Sequence, residues 1–346
     1  MSDSRTNRAI TQPHPDATGT RAVSTANGDD SRPRAPVDSQ APSKPQTPMQ
    51  SQTPTRPKTP TQPTRPLEPQ APTQSQAPIH RAEVSRYIVD QGPFVIRFAF
   101  PGFVVPEAPA DPSDAQSGVR RAARGFADPK RDHGYGPLAT VAESFLEPGT
   151  WIPMHEHRND EIISWVPAGV MRHDDRTVGK LVTDSDHLMV MNSGRSFRHE
   201  ELTGKTDPSL RMLQIFVRPH TLDLEPGIQH GPIEAAASGE WRLLFGPEDS
   251  EAPFTVRNDI YFSDLRLSAG GEVFAPARPG YDLYLFCFEG DVSVGAERLT
   301  RSETALARER EGNISLIPIQ AHSNSIVVAF LINPNAPVTR AGTIGR

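Results

Sequence analysis

The stretch EPGTWIPMHEHRNDEIISWV, residues 147–166, carries the pattern that decides the fold prediction. It opens on a Pro-Gly turn signal and ends, after a polar break, in the β-branched and aromatic run EIISWV (161–166). Short runs of this kind, bounded by turn residues, are typical of β-strands. Similar runs on both sides, and the lack of a long amphipathic pattern, predict an antiparallel all-β fold. They are FVIRFAF (94–100), LATVAESF (138–145), HLMVM (187–191) and MLQIFV (212–217).

A second set of strand patterns follows along the chain. Two consecutive sets of short strands predict two antiparallel sandwiches or barrels, with domains at 83–228 and 229–346. The join is expected in the Pro- and Gly-containing stretch 225–240, and a single large β domain is the alternative. The second set comprises WRLLF (241–245), IYFSDLRL (260–267), YLFCFEGDVSV (284–294), ISLIPI (314–319) and SIVVAFLI (325–332).

Residues 1–82 are predicted to be a long disordered N-terminal tail. They hold 15 of the 36 prolines, and no aromatic residue occurs before Tyr87. Such a segment cannot bury enough apolar surface to offset chain entropy. Most prolines between positions 42 and 72 recur at every third residue, which would align them on one face of a polyproline II helix. We interpret the tail as a stiff spacer; alternatively, it is a PxxP ligand for a protein partner.

Composition and charge exclude several classes of protein. The formal net charge is −6, which argues against a general nucleic-acid binder. The single cysteine, Cys287, excludes a disulfide framework and is compatible with a reducing compartment. No apolar run approaches the roughly 20 residues of a membrane span, and the first residues lack the apolar core of a secretory signal. The sequence therefore predicts a cytoplasmic protein that binds no membrane.

Two histidine motifs give the strongest chemical signal. His155 and His157 alternate with Glu156, so on a strand both imidazoles point to one face and can share a divalent metal. Two surface histidines on a loop would give the same pattern. His199 and Glu201 repeat the spacing after a Gly-containing turn. If the two strands pair, three imidazoles and one carboxylate form an open-sided site suited to Fe, Mn, Ni, Cu or Zn.

These motifs resemble the pirin family. Gly149, His155, His157 and Glu161 have the spacing of the first cupin motif. The resemblance covers about residues 84–346 and implies a bicupin: two antiparallel β-barrels (double-stranded β-helices) with one metal in the N-terminal barrel. The longer run that resembles the family includes DHGYGPLATV (132–141), MRHDD (171–175), MNSGRSFRHEE (191–201) and LQIFVRP (213–219).

The resemblance also implies the ligand set. The positions that match the family are His155, His157, His199 and Glu201, which would hold one divalent transition metal, with iron as the first expectation. Glu201 would also be the catalytic base. Glu161 competes for the carboxylate position, because the general cupin pattern makes it the ligand whereas the pirin pattern favours Glu201.

The chain departs from the family pattern beside the ligands. Glu156 stands where the family has a proline, and Glu200 adds a carboxylate between His199 and Glu201. Strand alternation predicts that Glu200 faces outward. His173 is interpreted as a residue behind the ligands or a structural one, and Asp160 and Arg198 as orienting groups for a ligand imidazole.

The C-terminal half is predicted to lack a metal. It reads Ala275-Pro276-Ala277 where a metallated cupin would carry a His-x-His pair, and Cys287 is interpreted as a core residue. The resemblance implies an oxidoreductase similar to quercetin 2,3-dioxygenase, which acts on a flavonol-like or other enolic or phenolic small molecule. The alternatives are a non-catalytic metal-binding regulator that binds a protein partner, and a bicupin that binds a small ligand without turnover.

Overall fold

The computed structural model describes residues 75–82, 87–104, 132–175 and 178–346. All of them belong to one compact unit. The predictions for the proline-rich residues 1–74 lie outside the described residues. The described part contains strands, turns and short 3-10 segments, and none of its helices is long and apolar enough to cross a membrane.

Two facing sheets form the first half. A seven-stranded sheet has the order β12-β9-β6-β11-β4-β3-β2, and a four-stranded sheet has the order β5-β10-β7-β8. The strands are β2 (Ile88–Asp90), β3 (Phe94–Ala99), β4 (Leu138–Leu146), β5 (Trp151–His157), β6 (Glu161–Ala168), β7 (Met171–Asp175), β8 (Gly179–Thr183), β9 (His187–Asn192), β10 (Phe197–Leu202), β11 (Leu210–Val217) and β12 (Gly227–Pro232).

The second half repeats this plan. Its seven-stranded sheet has the order β1-β20-β17-β22-β15-β13-β14, and its four-stranded sheet the order β16-β21-β18-β19. The strands are β1 (His80–Ala82), β13 (Trp241–Pro247), β14 (Phe254–Val256), β15 (Ile260–Leu267), β16 (Glu272–Phe274), β17 (Asp282–Glu289), β18 (Asp291–Val294), β19 (Glu297–Thr300), β20 (Thr304–Ala307), β21 (Pro318–Ala321) and β22 (Ser325–Ile332).

The four sheets stack as four layers, with the two seven-stranded sheets back to back in the middle. The largest apolar core lies between these two sheets, and it includes Trp165 and Ile215 from the first half and Phe262 and Phe330 from the second. Smaller cores fill the interior of each half. A strand buried on both faces loses the polar–apolar alternation of a surface strand. This explains why EIISWV is apolar almost throughout. The predicted all-β bicupin architecture is confirmed.

A buried ion cluster also joins the halves. The carboxylate of Glu143, fully buried on β4, accepts hydrogen bonds from Arg211 (Nη2, 2.7 Å; Nε, 3.0 Å), from Arg97 (Nη1, 3.0 Å) and from Ser302 of the second half (Oγ, 3.1 Å). Arg211 also donates to Glu289 of the second half (2.5 Å). The guanidinium charges are therefore neutralised at the contact between the halves.

The chain crosses between the halves at more points than the sequence predicts. Residues 80–82, which were predicted to be disordered, form β1 and pair with β20 of the second half. The added backbone hydrogen bonds and the burial of Ala77 explain why this short stretch is ordered. β12 pairs with β9, so the first half runs to Pro232 rather than to the predicted boundary at residue 228.

A return segment, residues 342–345, leaves the second half and lies on the first. The backbone N–H groups of Ile344 and Gly345 donate to the buried carboxylate of Asp160 (3.0 and 2.8 Å), and that of Thr343 donates to the Arg158 carbonyl (3.0 Å). A Cβ on Gly342 would lie 2.2 Å from Asp160 Oδ1, so this position has no room for a side chain. The segment therefore completes the wall of the first half beside β5.

Candidate metal centre

Pairing of β5 with β10 brings the two histidine motifs together. His199 lies directly opposite His155 in the antiparallel register, and Phe197 lies opposite His157. His155, His157 and His199 each have a ring nitrogen that lies within 4.8 Å of a ring nitrogen of the other two. The ring centroids are 4.4 Å apart for His155 and His199, and 5.3 Å apart for His157 and His199. The strand pairing on which the sequence prediction depended is therefore present.

A β-bulge shapes β5 next to the site. Glu201 pairs with Ile152 while His199 pairs with His155, so three steps on β5 oppose two on β10. Bulges are favoured at sheet edges, where proline is also tolerated, and β5 is an edge strand that carries Pro153 here. The carbonyl of Pro153 lies 2.9 Å from Nδ1 of His155. This contact orients the His155 ring with its other nitrogen, Nε2, available.

Glu201 lies beside the three imidazoles and is buried. One of its carboxylate oxygens is 4.0 Å from Nδ1 of His199 and accepts a hydrogen bond from the Gln214 amide (2.7 Å). Burial raises the pKa of the Glu201 carboxyl above its ordinary value, against the opposing effect of His155 and the Gln214 hydrogen bond. A cation placed among the imidazoles would stabilise its charged form.

Glu161, the competing carboxylate, is engaged elsewhere. Its Oε1 accepts a hydrogen bond from Arg257 Nε (3.0 Å), and its Oε2 accepts one from the Arg257 backbone N–H (3.1 Å) and another from Asn192. The side chain is fully buried in this arrangement. Oε1 is therefore occupied by the Arg257 guanidinium, and Oε2 by the Arg257 backbone and the Asn192 amide, which favours Glu201 over Glu161 as the carboxylate of the site.

Burial also determines the charge state of His199. Burial, together with the neighbouring His155, His157 and His173, lowers the pKa of His199 to about 2, because imidazolium groups in this cluster would repel one another. The neutral imidazole, the form that binds a metal, is therefore maintained across the physiological range. Among the described residues, the buried Nε2 atom of His199 has no hydrogen-bond partner.

The residues that depart from the family pattern point away from the site. Glu156 accepts a hydrogen bond from Ser196 (2.6 Å), and Glu200 accepts one from the exposed Trp151 (3.2 Å). Arg198 is exposed and lies 4.0 Å from Glu156, so it does not orient a ligand imidazole. Neither added carboxylate joins the three imidazoles.

The residues behind the three imidazoles form contacts that the sequence predicts only in part. Nδ1 of His173, on β7, lies 3.1 Å from Nδ1 of His199, and its Nε2 lies 2.9 Å from Asp175 Oδ2. Asp160 Oδ2 lies 3.5 Å from Nδ1 of His157. The i, i+2 spacing of His173 and Asp175 within MRHDD was a readable signal, because it repeats the one-face pattern of the ligand motifs.

The described part of the second half shows no comparable cluster. His155, His157 and His199 are the one group of at least three candidate ligands found among the described residues. Cys287 is buried in the second-half core, and burial raises the pKa of its thiol to about 12. His322 is exposed and contacts Ser293 (2.7 Å). The burial of Cys287 agrees with its interpretation as a core residue.

The fold and the site together define a class: an all-β bicupin with a three-imidazole cluster in its first barrel. Residues 131–217 match the family model described as Pirin. This part of the chain is therefore similar to the pirin family.

Similar proteins agree with this assignment. The chain is 20% identical over 201 residues to a quercetin 2,3-dioxygenase of Escherichia coli (strain K12), across 58% of this chain and 84% of the relative. It is 27% identical over 173 residues to a pirin-like protein of Caulobacter vibrioides, across 49% of this chain and 74% of the relative.

Solved structures share the fold. YhhW from Escherichia coli superposes with a TM-score of 0.58 at 17% sequence identity, over 74% of this chain and 97% of that one. The bacterial pirin YhhW in complex with nickel(II) gives a TM-score of 0.57 at 17% identity, over 73% and 98%. At these identities, the superpositions establish the shared architecture.

Proposed function

We propose that the chain is a metal-dependent pirin-like dioxygenase that acts on flavonol-like or other enolic or phenolic small molecules. The observation that carries the proposal is the cluster of three imidazoles, His155, His157 and His199, in which the buried Nε2 of His199 has no hydrogen-bond partner among the described residues. A buried polar atom without a partner is costly unless it binds a ligand. A divalent metal would use this lone pair.

The donor set fits such an ion. His155, His157 and His199 supply three ring nitrogens, and Glu201 supplies a buried carboxylate whose pKa is raised by that burial. Three nitrogens and one oxygen suit iron first, and also Mn, Ni, Cu or Zn. When bound, the metal would act as a Lewis acid towards a substrate oxygen.

Glu201 and Gln214 define the proton chemistry. A carboxylate with a raised pKa is a better proton acceptor than an exposed one, so Glu201 is suited to take the proton of an enol or phenol. The Gln214 amide, 2.7 Å away, holds the carboxylate in place during the transfer. The dioxygenase assignment and the flavonol class derive support from the names of the relatives, several of which are called quercetin 2,3-dioxygenase.

A non-catalytic metal-binding regulator is the second candidate. The observation that favours it is Trp151, which is 61% exposed on the same strand that carries His155 and His157. A large exposed aromatic side chain is enriched at protein–protein contacts. Metal binding on one face of β5 could thus be sensed by a protein on the other.

Metal content and oxygen uptake test the proposal with a matched pair of variants. We would load the full chain anaerobically with Fe(II), Mn(II), Ni(II) or Zn(II) and compare wild type, Glu201→Gln and Glu200→Gln. About one ion per chain is expected for wild type and for Glu200→Gln, whose carboxylate points outward. Glu201→Gln is expected to bind at least tenfold more weakly, because it removes the charged ligand. Retention of its affinity would contradict the role of Glu201.

Two further outcomes separate the candidates. Flavonol-dependent oxygen consumption by the loaded wild type, absent from a His155→Ala/His157→Ala variant, would support the dioxygenase. Metal binding without oxygen consumption would favour the regulator. Failure of the wild type to bind any of the four ions would overturn both.

A further inference from the structure

We propose that Asp175 and His173 are positioning residues that fix the tautomer of His199, so that its Nε2 carries no proton and is free to bind the metal. This inference rests on the proposed metal site. It concerns three side chains on two neighbouring strands, β7 and β10, that form a relay pointing towards the ligand cluster. Neither Asp175 nor His173 is a candidate ligand.

The three side chains of the relay form an unbroken series of contacts that is shielded from water. Asp175 Oδ2 lies 2.9 Å from His173 Nε2, and His173 Nδ1 lies 3.1 Å from His199 Nδ1. All three side chains are at most 1% exposed, so water does not compete for these contacts. The strand register places Asp175 directly opposite His199 and His173 opposite Glu201, which holds the relay in line.

One arrangement of protons satisfies these contacts without leaving a buried N–H group unpaired. The Asp175 carboxylate only accepts, so His173 must donate from Nε2. If His173 also donated from Nδ1, His199 would carry its own proton on Nε2, a buried atom with no hydrogen-bond partner among the described residues, and such an N–H group is costly. Nδ1 of His173 therefore carries a lone pair. The Nδ1–H of His199 must therefore donate to that lone pair. A neutral imidazole with its proton on Nδ1 has an unprotonated Nε2, the atom that has no partner among the described residues.

Asp175, at the outer end of the relay, is held in one orientation. The other carboxylate oxygen of Asp175, Oδ1, accepts a hydrogen bond from the backbone N–H of Val178 (2.6 Å). Glu201 lies 4.0 Å from Nδ1 of His199, which is too far to serve as an alternative acceptor. The side chain of Asp175 therefore cannot rotate, and His199 cannot choose another partner, without loss of a buried hydrogen bond.

The fixed orientation of the Asp175 side chain predicts a specific defect in the Asp175→Asn variant. The Val178 N–H would hold the amide oxygen, so the amide NH₂ would face His173 Nε2. That nitrogen would then have to accept, which puts the His173 proton on Nδ1 and, in turn, the His199 proton on Nε2. The substitution keeps shape and packing but places a hydrogen where the metal should bind. Loss of an outer hydrogen-bond partner of a metal ligand typically lowers affinity 10- to 100-fold.

The test combines tautomer and affinity measurements. In the metal-free full chain labelled with ¹⁵N-histidine, the protonated nitrogen of His199 is expected at Nδ1 in wild type and at Nε2 in Asp175→Asn. Chelator competition with Zn(II) is expected to show a 10- to 100-fold weaker affinity for Asp175→Asn. Asp174→Asn is the matched control, because Asp174 lies one residue away and faces Lys180 (3.9 Å) outside the site. Its affinity should equal that of wild type.

Rescue distinguishes positioning from general damage. His173→Asn supplies an amide oxygen that can accept the Nδ1–H of His199 whatever the residue at 175 is. The Asp175→Asn/His173→Asn double variant is therefore expected to recover most of the affinity that Asp175→Asn loses, whereas independent structural damage would add. If Asp175→Asn does not fold, His173→Leu, which removes the acceptor for His199 Nδ1–H, is compared with His173→Asn, which keeps one: weaker Zn(II) binding by His173→Leu alone supports the relay, and equal affinities of the two variants overturn it.

The outcomes separate this inference from the proposed function. Wild type that binds no Zn(II) would contradict the metal site, while the His199 tautomer in the metal-free chain would still test the relay. Wild type that binds, together with an Asp175→Asn variant of unchanged affinity and unchanged tautomer, would overturn the relay alone.

Discussion

Removing the charge of Glu143 should destabilise the whole described unit rather than one half. Glu143 is fully buried and accepts hydrogen bonds from Arg97 and Arg211 on its own half and from Ser302 on the other. Glu143→Gln keeps the shape of the side chain. It leaves Arg211, whose side chain is 12% exposed, with Glu289 as its remaining described carboxylate partner.

The magnitude follows from which contacts survive. Breaking one side of a buried ion pair costs about 3–5 kcal/mol. Glu289 and the backbone carbonyl of Phe288 still accept from Arg211, and Arg97 can turn towards solvent, so we place Glu143→Gln at the lower end, about 3 kcal/mol. For a folded unit of this size, this corresponds to a decrease in Tm of roughly 6–12 °C.

Glu289→Gln provides the control, because it removes the other carboxylate partner of the same arginine. The Glu289 side chain is 44% exposed, so its loss should cost about 0–1 kcal/mol. Thermal and urea unfolding of the full chain, followed by tryptophan fluorescence and circular dichroism, would measure both variants. Equal losses for the two variants, or a Glu143→Gln transition that splits into two steps, would refute the reasoning that a buried charge couples the halves.

Two other outcomes are expected. Burial would raise the pKa of Asp132, but the hydrogen bond and charge of buried Arg218 outweigh it and hold the pKa below 3.8. The stability that the Asp132 carboxylate contributes is thus complete above about pH 3.8 and is lost as pH falls through its lowered pKa. Urea unfolding should therefore show a smaller loss of unfolding free energy for Asp132→Asn at pH 3 than at pH 7. An equal loss at the two pH values would contradict this. Gly342→Ala should cost about 1–3 kcal/mol, since its Cβ would meet Asp160 Oδ1 at 2.2 Å, whereas Gly227→Ala, with open space around it, serves as the control in the same melts.

The fold class and the histidine cluster could be predicted because both depend on short-range patterns. The His155/His157 and His199/Glu201 pairs each lie within one strand, where a period of two fixes the shared face. The pairing of the two strands was a hypothesis that the register confirms. Whether the four residues act as ligands stays a prediction.

The contacts that distinguish the two carboxylates could not be predicted. Glu161 accepts a hydrogen bond from Arg257, which lies 96 residues further along the chain. No local sequence pattern predicts such a pair. The bulge at β5 depends on the register of its partner strand, so alternation fails between Ile152 and His155. His173 and Asp175 were readable as a one-face pair, yet their connection to His199 depends on β7 lying beside β10.

The return segment has a consequence for the timing of synthesis. The backbone N–H groups that bind Asp160 belong to residues 184 and 185 positions later in the chain. At a translation rate of about 5–20 residues per second, these partners leave the ribosome roughly 10–40 s after Asp160 does. For that interval, the nascent first barrel has an unfinished wall behind His157. We expect the first barrel to mature only after residues 344 and 345 have been made, so the candidate metal centre is completed well after the strands that carry its histidines.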